Sequence, residues 1–437
     1  MKLRIYYFFT IAFFCEDATT IAQNAFTLSD CIEYSLSHSL ELRDYTFQLI
    51  ESKEDVRYER HKFLPSINAE LNNGVSTGFQ QVFTEDLAGA YQSVSSYSNV
   101  VLFNVSLPVW DASAQRTLVR LRRNNVNEME QRKAACEQSL KMVVIEKFYT
   151  LALAKLRRQL AEEQLVLQDS VLDVSRRMYE LGLRAYKDVV DAEANRENDR
   201  QTLMEEEQSV MTSLTDLKHV MNYKSDMDIY RVIEDKDTTF FLPLDELERL
   251  AFLHSPALRV AESKIVSASL ERKSISRQRY PSLTLNFQAG TSAQQLFTLP
   301  NTKMTKQWHH NAYQMTTLTL KIPVFNQLNV RSQLRKTDIE IARMQTALEK
   351  ECTELRHELK VLYEDMQKCE RLVPQMRQVE RLVHEQYAMA LKDYSCGNIP
   401  SYGLYTYKNK WVAASLRLAQ ANIEWNYKRQ MLKTLIE

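Results

Sequence analysis

The sequence predicts a mainly α-helical fold with a small β part: two copies of a long helical hairpin, each carrying two β-strands. Three observations predict it. Turn formers are scarce, with only 7 Gly and 9 Pro among 437 residues, well below the usual shares of about 7% and 5%. Few breakers mean few turns and therefore long helices. The second observation is a set of landmarks that recurs at half the chain length. The third is that just two stretches, Leu64–Asp111 and Tyr280–Asn326, carry the two-residue alternation and the flanking Pro and Gly of strand–loop–strand units.

The recurrence holds through five landmarks in order. Leu28 and the His38-Ser39 pair return as Leu244 and His254-Ser255, an offset of 254 − 38 = 216. Pro65-Ser66 and Gly74 return as Pro281-Ser282 and Gly290, again at 216. Pro108 in Leu107-Pro-Val-Trp-Asp111 returns as Pro323 in Ile322-Pro-Val-Phe-Asn326, at 323 − 108 = 215, and Gly182 returns as Gly397 at 215. The chain reads as a tandem duplication, residues 23–222 and 244–437, joined by a linker at 223–243.

In chain order, Lys2 and Arg4 precede the apolar run Ile5–Cys15, too short to span a bilayer, which marks residues 1–22 as a secretory signal peptide. Cys15 is preceded by Phe14, where a lipidation site calls for a small residue. Each copy then has a short helix and a medium helix (about Leu40–Lys62 and Pro256–Gln278) that Pro65 or Pro281 stops. Strands follow at about 66–74 and 97–107, and at about 282–290 and 314–322, with Val75–Ser96 an outer loop. A very long helix comes next (about Ala112–Glu180 and Gln327–Tyr394), roughly 100 Å at about 1.5 Å per residue. Pro374 falls inside the second and should kink it. Gly182 or Gly397 breaks the long helix and a last helix returns (about Tyr186–Met221 and Tyr402–Leu435). Rows such as Leu140, Val144, Phe148, Leu151 and Trp411, Leu418, Trp425, Leu432 keep the period of side-by-side helix packing. On these lengths each repeat forms a rod, the Gly turn at one tip and the strands at the other end.

The strands separate into two faces. Leu283, Leu285 and Phe287 alternate with Thr284, Asn286 and Gln288; Leu318 and Leu320 alternate with Thr317 and Thr319; Phe103 and Val105 alternate with Asn104 and Ser106. One face apolar and one uncharged polar, over about nine residues, is the pattern of a transmembrane barrel strand. A soluble sandwich strand has the same period. Four strands cannot close a barrel, for which about eight is the smallest number, so a barrel must be shared between chains.

Charge and motifs narrow the function. The 56 basic and 56 acidic groups cancel, and no basic face calls for nucleic acid. No segment reaches the roughly 18 consecutive apolar residues of a transmembrane helix. The six cysteines are scattered without disulfide-scaffold or metal spacing. No P-loop, GxGxxG, GxSxG or HExxH occurs, and His309-His310 reads as a wet loop pair. Neither an enzyme, a cofactor nor a metal is expected.

The ordered, duplicated landmarks resemble the TolC-like outer-membrane efflux protein family from about Phe26 to Glu437. The motifs that carry the likeness are Leu64-Pro-Ser66 and Tyr280-Pro-Ser282 at the strand starts, Leu107-Pro-Val-Trp110 and Ile322-Pro-Val-Phe325 at the strand ends, and the glycines at 182 and 397. The resemblance implies a homotrimer whose strands close a 12-stranded barrel and whose helices close a periplasmic tunnel. It implies an outer membrane location and a passive duct that works with a periplasmic adaptor and an inner-membrane pump. By the same likeness the adaptor-docking tips are Gly182, Leu183, Arg184 and Ala185, and Gly397, Asn398, Ile399 and Ser401. Family channels often close the tunnel with aspartates after the second tip, where this chain has Gly403 and Thr406. The candidate gate residues are therefore Asp188, Asp191, Tyr402 and Tyr405, with a solvated helix face the simpler role for the two carboxylates. The lipid-facing set is Leu283, Leu285, Phe287, Leu318, Leu320, Phe103 and Val105. A secreted structural coiled-coil protein is the alternative.

Overall fold

The computed structural model describes residues 26–82, 90–224, 242–297 and 303–436. The signal-peptide expectation and most of the linker lie outside the described residues. In order, α1 (Leu28–His38), α2 (Leu40–His61), β1 (Ser66–Val82), β2 (Ala90–Trp110), α3 (Ala114–Glu180) and α4 (Tyr186–Val220) form the first half. The second half has α5 (Leu244–His254), α6 (Pro256–Arg277), β3 (Ser282–Leu296), α7 (Met304–His310), β4 (Tyr313–Lys321), α8 (Asn329–Ser395) and α9 (Ser401–Ile436).

Local chemistry sets the boundaries. Thr27 and Asp30 open α1 with a capping box, Asp30 N donating to Thr27 Oγ1 at 3.2 Å and Thr27 N to Asp30 Oδ2 at 2.9 Å. Ser255 and Pro256 open α6 as N-cap and first helical residue. The corner from strand to long helix uses two consecutive left-handed residues in both halves, Ala112 (φ 53) with Ser113 (φ 67) and Gln327 (φ 55) with Leu328 (φ 58). Asp111 supports the first corner by accepting from Ser113 N (3.1 Å) and Gln115 N (2.6 Å). Pro374 lies inside α8 without ending it.

Two compact units emerge, and both halves of the sequence contribute to each. One gathers the described residues within Met1–Ser39, Leu140–Phe241 and Met366–Met431; the other those within Leu40–Ser139, Leu242–Asp365 and Leu432–Glu437. In the first, Val144, Ile145, Phe148 and Leu151 of α3 bury against Leu214 and Leu217 of α4, its C-cap Met221, Cys31 of α1 and Ile423 of α9. In the second, Asn124 of α3 donates to Ser263 O (2.8 Å) and Ser267 Oγ (2.9 Å) of α6. Glu59 of α2 accepts from Gln115 Nε2 of α3 at 2.8 Å.

The second unit also holds the sheet, antiparallel throughout and ordered β1-β2-β3-β4. Its first two strands are much longer than expected: pairing runs from Ser66↔Ser106 to Val82↔Ala90, so most of the stretch read as an outer loop is strand. The reason is visible in the residues. Beyond Gly74 neither face is consistently apolar, so alternation vanishes while pairing continues, helped by Ser76 Oγ–Ser96 Oγ at 2.8 Å and Tyr97 OH donating to Asn73 Oδ1 at 3.3 Å. Gly290 allows a close approach, since a Cβ there would meet Leu102 Cδ2 at 2.8 Å. The β3–β4 connection contains α7, so His309 and His310 sit in a helical turn instead of a plain loop.

Candidate functional site

Two regions carry the residues singled out by sequence, the sheet and the two glycine turns. In an antiparallel sheet directly paired residues share a face. The register aligns Leu107, Leu285 and Leu318 in one row, Ile67, Val105 and Phe287 in the next, and Ala69, Phe103 and Ala289 in a third. Leu283 and Leu320 pair beside them. All seven residues of the expected lipid-facing set thus fall on one face of one sheet. The other face is a polar ladder: Gln288 Nε2 donates to Asn104 Oδ1 (2.9 Å), Asn104 Nδ2 to Glu70 Oε1 (3.5 Å), Ser106 Oγ to Asn286 Oδ1 (2.9 Å) and Asn286 Nδ2 to Thr319 Oγ1 (3.4 Å). β1 and β4 are the edges, and every residue of β4 is exposed.

The glycine turns share one backbone solution. Gly182 (φ 71) and Gly397 (φ 82) take the left-handed position after α3 and α8. Gly182 N donates to Tyr179 O (2.9 Å) and Leu183 N to Met178 O (2.9 Å); Gly397 N donates to Tyr394 O (3.1 Å) and Asn398 N to Asp393 O (2.9 Å). Both are Schellman caps, which satisfy orphan carbonyls and need a residue free to adopt positive φ.

Around the turns the expected docking residues divide. Leu181 and Leu183 are more than two-thirds exposed, as is Tyr402, and Tyr186 is exposed beside them. Ala185 and Asn398 are exposed as well, while Ile399 is partly buried against the Val171, Tyr387, Tyr394 and Leu404 cluster. Two of the expected residues are turned away from solvent in the single chain. Ser401 is buried. Arg184 is turned inward with its side chain 7% exposed. Its guanidinium donates to Ile399 O at 2.6 Å and Tyr394 O at 3.2 Å, lies 4.2 Å from the Tyr394 ring centroid, and pairs with Asp188 at 3.5 Å. An arginine with those partners joins one turn to the other.

The candidate gate residues are not assembled into one cluster. Asp188 is held by Arg184, and Asp191 is half-buried on α4. Tyr402 is exposed, and Tyr405 lies under the Lys408 ammonium at 4.8 Å. Among the described residues no hydrogen bond or ion pair links the carboxylates to the tyrosines.

Sequence reasoning missed a buried polar layer. Lys408 of α9 is fully buried, and its Nζ donates to Gln168 Oε1 of α3 at 3.0 Å and to Asp199 Oδ2 of α4. Gln168 is oriented by donating to Ala192 O at 3.2 Å. Burial pushes the Lys408 ammonium down and the Asp199 carboxyl up from their ordinary values, and their mutual hydrogen bond opposes both shifts. The available signal was a lysine four residues after Leu404 and three before Trp411, on a row that is otherwise apolar.

Among the described residues no group of three or more His, Cys, Asp or Glu is placed to hold a metal ion. No described helix is long and apolar enough to cross a membrane, which bears only on helices and not on a barrel.

The model of the family described as outer membrane efflux protein matches the chain twice, over residues 31–222 and 247–436. Among curated proteins none matches. Solved structures with the same fold include the channel-forming protein CusC, 15% identical, with a TM-score of 0.79 and 95% of each chain covered. The outer membrane protein VceC of Vibrio cholerae is 13% identical at a TM-score of 0.77, covering 94% of this chain and 95% of its own. The CmeC outer membrane channel of Campylobacter jejuni is 13% identical at 0.76, covering 94% and 85%.

Proposed function

The chain belongs to the outer membrane efflux protein family, and from that premise we propose that it is the exit duct of a tripartite efflux or type I secretion assembly. The channel function itself follows from the family, whose members are outer-membrane channels and not enzymes. The finer reading rests above all on the sheet, which has one apolar face, one polar face and two unpaired edges. In a bilayer every backbone N–H and C=O must find a partner within protein. A single four-stranded sheet leaves β1 and β4 open, so further copies must close it, β4 of one against β1 of the next. Three copies give the 12-stranded barrel of the family. The Leu285 and Phe287 face then meets lipid, and the Asn104, Gln288 and Asn286 ladder lines water.

The tandem repeat supplies two hairpin tips per chain. Gly182, Leu183, Ala185, Gly397, Asn398 and Ile399 are the proposed adaptor-facing residues, at the periplasmic end of the tunnel. Cargo passes without chemistry here, and the energy comes from the pump. A secreted structural coiled coil leaves the one-sided sheet without a role.

The test is a charge scan of the two sheet faces. Leu285→Asp and Phe287→Asp should abolish assembly in the outer membrane, whereas Thr284→Asp and Asn286→Asp should be tolerated. Equal tolerance on both faces contradicts the reading.

A further inference from the structure

The edges of the sheet do not match in length. β1 has 17 residues and β4 has 9, so β4 of a neighbouring copy can pair with at most 9 residues of β1 and leaves 17 − 9 = 8 without a strand beside them. Within the chain β4 ends at Tyr313, level with Gly290, Leu102 and Glu70, so the ladder shared by all four strands stops at Glu70 and the outer half of β1 runs on beyond it. A long unpaired edge is a site for unwanted strand addition, which proteins avoid by covering it.

β3 has the same problem and solves it within the chain. It runs six residues past Gly290, its last residue paired with β4, and α7 sits against that free edge. Thr291 Oγ1 donates to Trp308 O at 2.5 Å, Asn311 Nδ2 to Ser292 O at 2.7 Å and Gln294 N to Gln307 Oε1 at 2.8 Å. α7 therefore occupies the place that a longer β4 would have filled. The strand next to β4 in a closed ring is β1 of the adjoining copy, so the far side of α7 faces the uncovered half of that β1. Large apolar side chains stand open on both in the single chain: Trp308 on α7 is 43% exposed, and Val75 and Phe79, on one face of β1, are 67% and 77% exposed.

We propose that α7 is an intersubunit seal, with Trp308 covering the outer half of β1 of a second copy of this chain around Val75 and Phe79. The inference rests on the ring of copies argued above. The seal closes the barrel wall beyond the reach of β4 and hides an edge that would otherwise recruit stray strands.

A photo-crosslinker, p-benzoylphenylalanine, in place of Trp308 tests it in the full chain in membranes, with the same probe in place of Leu318 on β4 reporting the β4–β1 seam. The expected result is a two-chain band from both sites, the Trp308 adduct mapping to β1 between Val75 and Val82. A two-chain band from Leu318 with only own-chain adducts from Trp308 overturns the seal and leaves the ring standing. Own-chain adducts from both sites overturn both. As a second measurement, Trp308→Ala should lower the temperature at which the detergent-solubilised assembly separates into single chains, and an unchanged temperature contradicts the seal.

Discussion

The two helical hairpins have the same backbone turn and opposite surfaces. After α3, the turn at Gly182 places Leu181 and Leu183 in solvent; after α8, the turn at Gly397 puts Ile399 against its own core and leaves Asn398 outside. Each hairpin lends the other one buried cation. Arg184 of the first grips the carbonyls of Tyr394 and Ile399 in the second. Lys408 of the second enters the α3–α4 pair of the first. At the offset of 215 that relates Gly182 to Gly397, the position equivalent to Lys408 in the first copy is 408 − 215 = 193, an exposed glutamate that pairs with Arg176 at 3.4 Å. Duplication thus preserved the turn, where the Schellman cap requires a positive φ, and gave up symmetry in the side chains between hairpins. On this comparison we propose that the first turn carries the larger share of the adaptor contact and the second the smaller.

The largest expected effect separates those two roles. Leu183→Glu should abolish export and adaptor capture while assembled trimers remain, and Asn398→Glu should weaken both to a smaller degree. Equal losses at the two turns would remove the distinction. Breaking the Lys408 layer comes next. Asp199→Ala strands a buried ammonium and should cost about 3–5 kcal/mol, seen as a lower unfolding midpoint, whereas Asp199→Leu combined with Lys408→Met should stay close to the parent. A smaller change is expected at Arg184. Arg184→Lys keeps the charge but loses the planar fork over Tyr394, costing about 2 kcal/mol. Amide exchange should then quicken at Tyr394–Ser401 and not at Met178–Leu183. The mildest probe is a thiol reagent. Cys396, exposed beside Gly397, should be alkylated in the native protein and protected once adaptor is bound. Cys31, buried and with its thiol pushed up to about 12 by that burial, should react only after unfolding.

What the sequence revealed follows the strength of each physical signal. Pro65, Pro281, Gly182 and Gly397 are punctuation that backbone geometry demands, so the repeats and the turns were legible. So was the apolar face at Leu283, Leu285 and Phe287, because alternation there is strict. The outer halves of β1 and β2 were not, since Ser76, Thr77, Ser93 and Ser95 interrupt the marks left by Val75 and Phe79 while hydrogen bonding continues. α7 is seven residues long, too short for helical periodicity to register. The burial of Arg184 and Ser401 was not legible, because a polar residue at a turn reads as exposed; only tertiary packing shows one gripping a neighbouring turn and the other buried. Lys408 shows the converse, a charge on an apolar row that periodicity alone passes over.

The central claim is that copies of this chain complete a membrane barrel that one chain cannot close. Native mass measurement of the chain extracted from outer membranes tests it most directly. The account predicts that extraction requires detergent and yields a particle of three chains. A single chain released into the soluble fraction without detergent would contradict it.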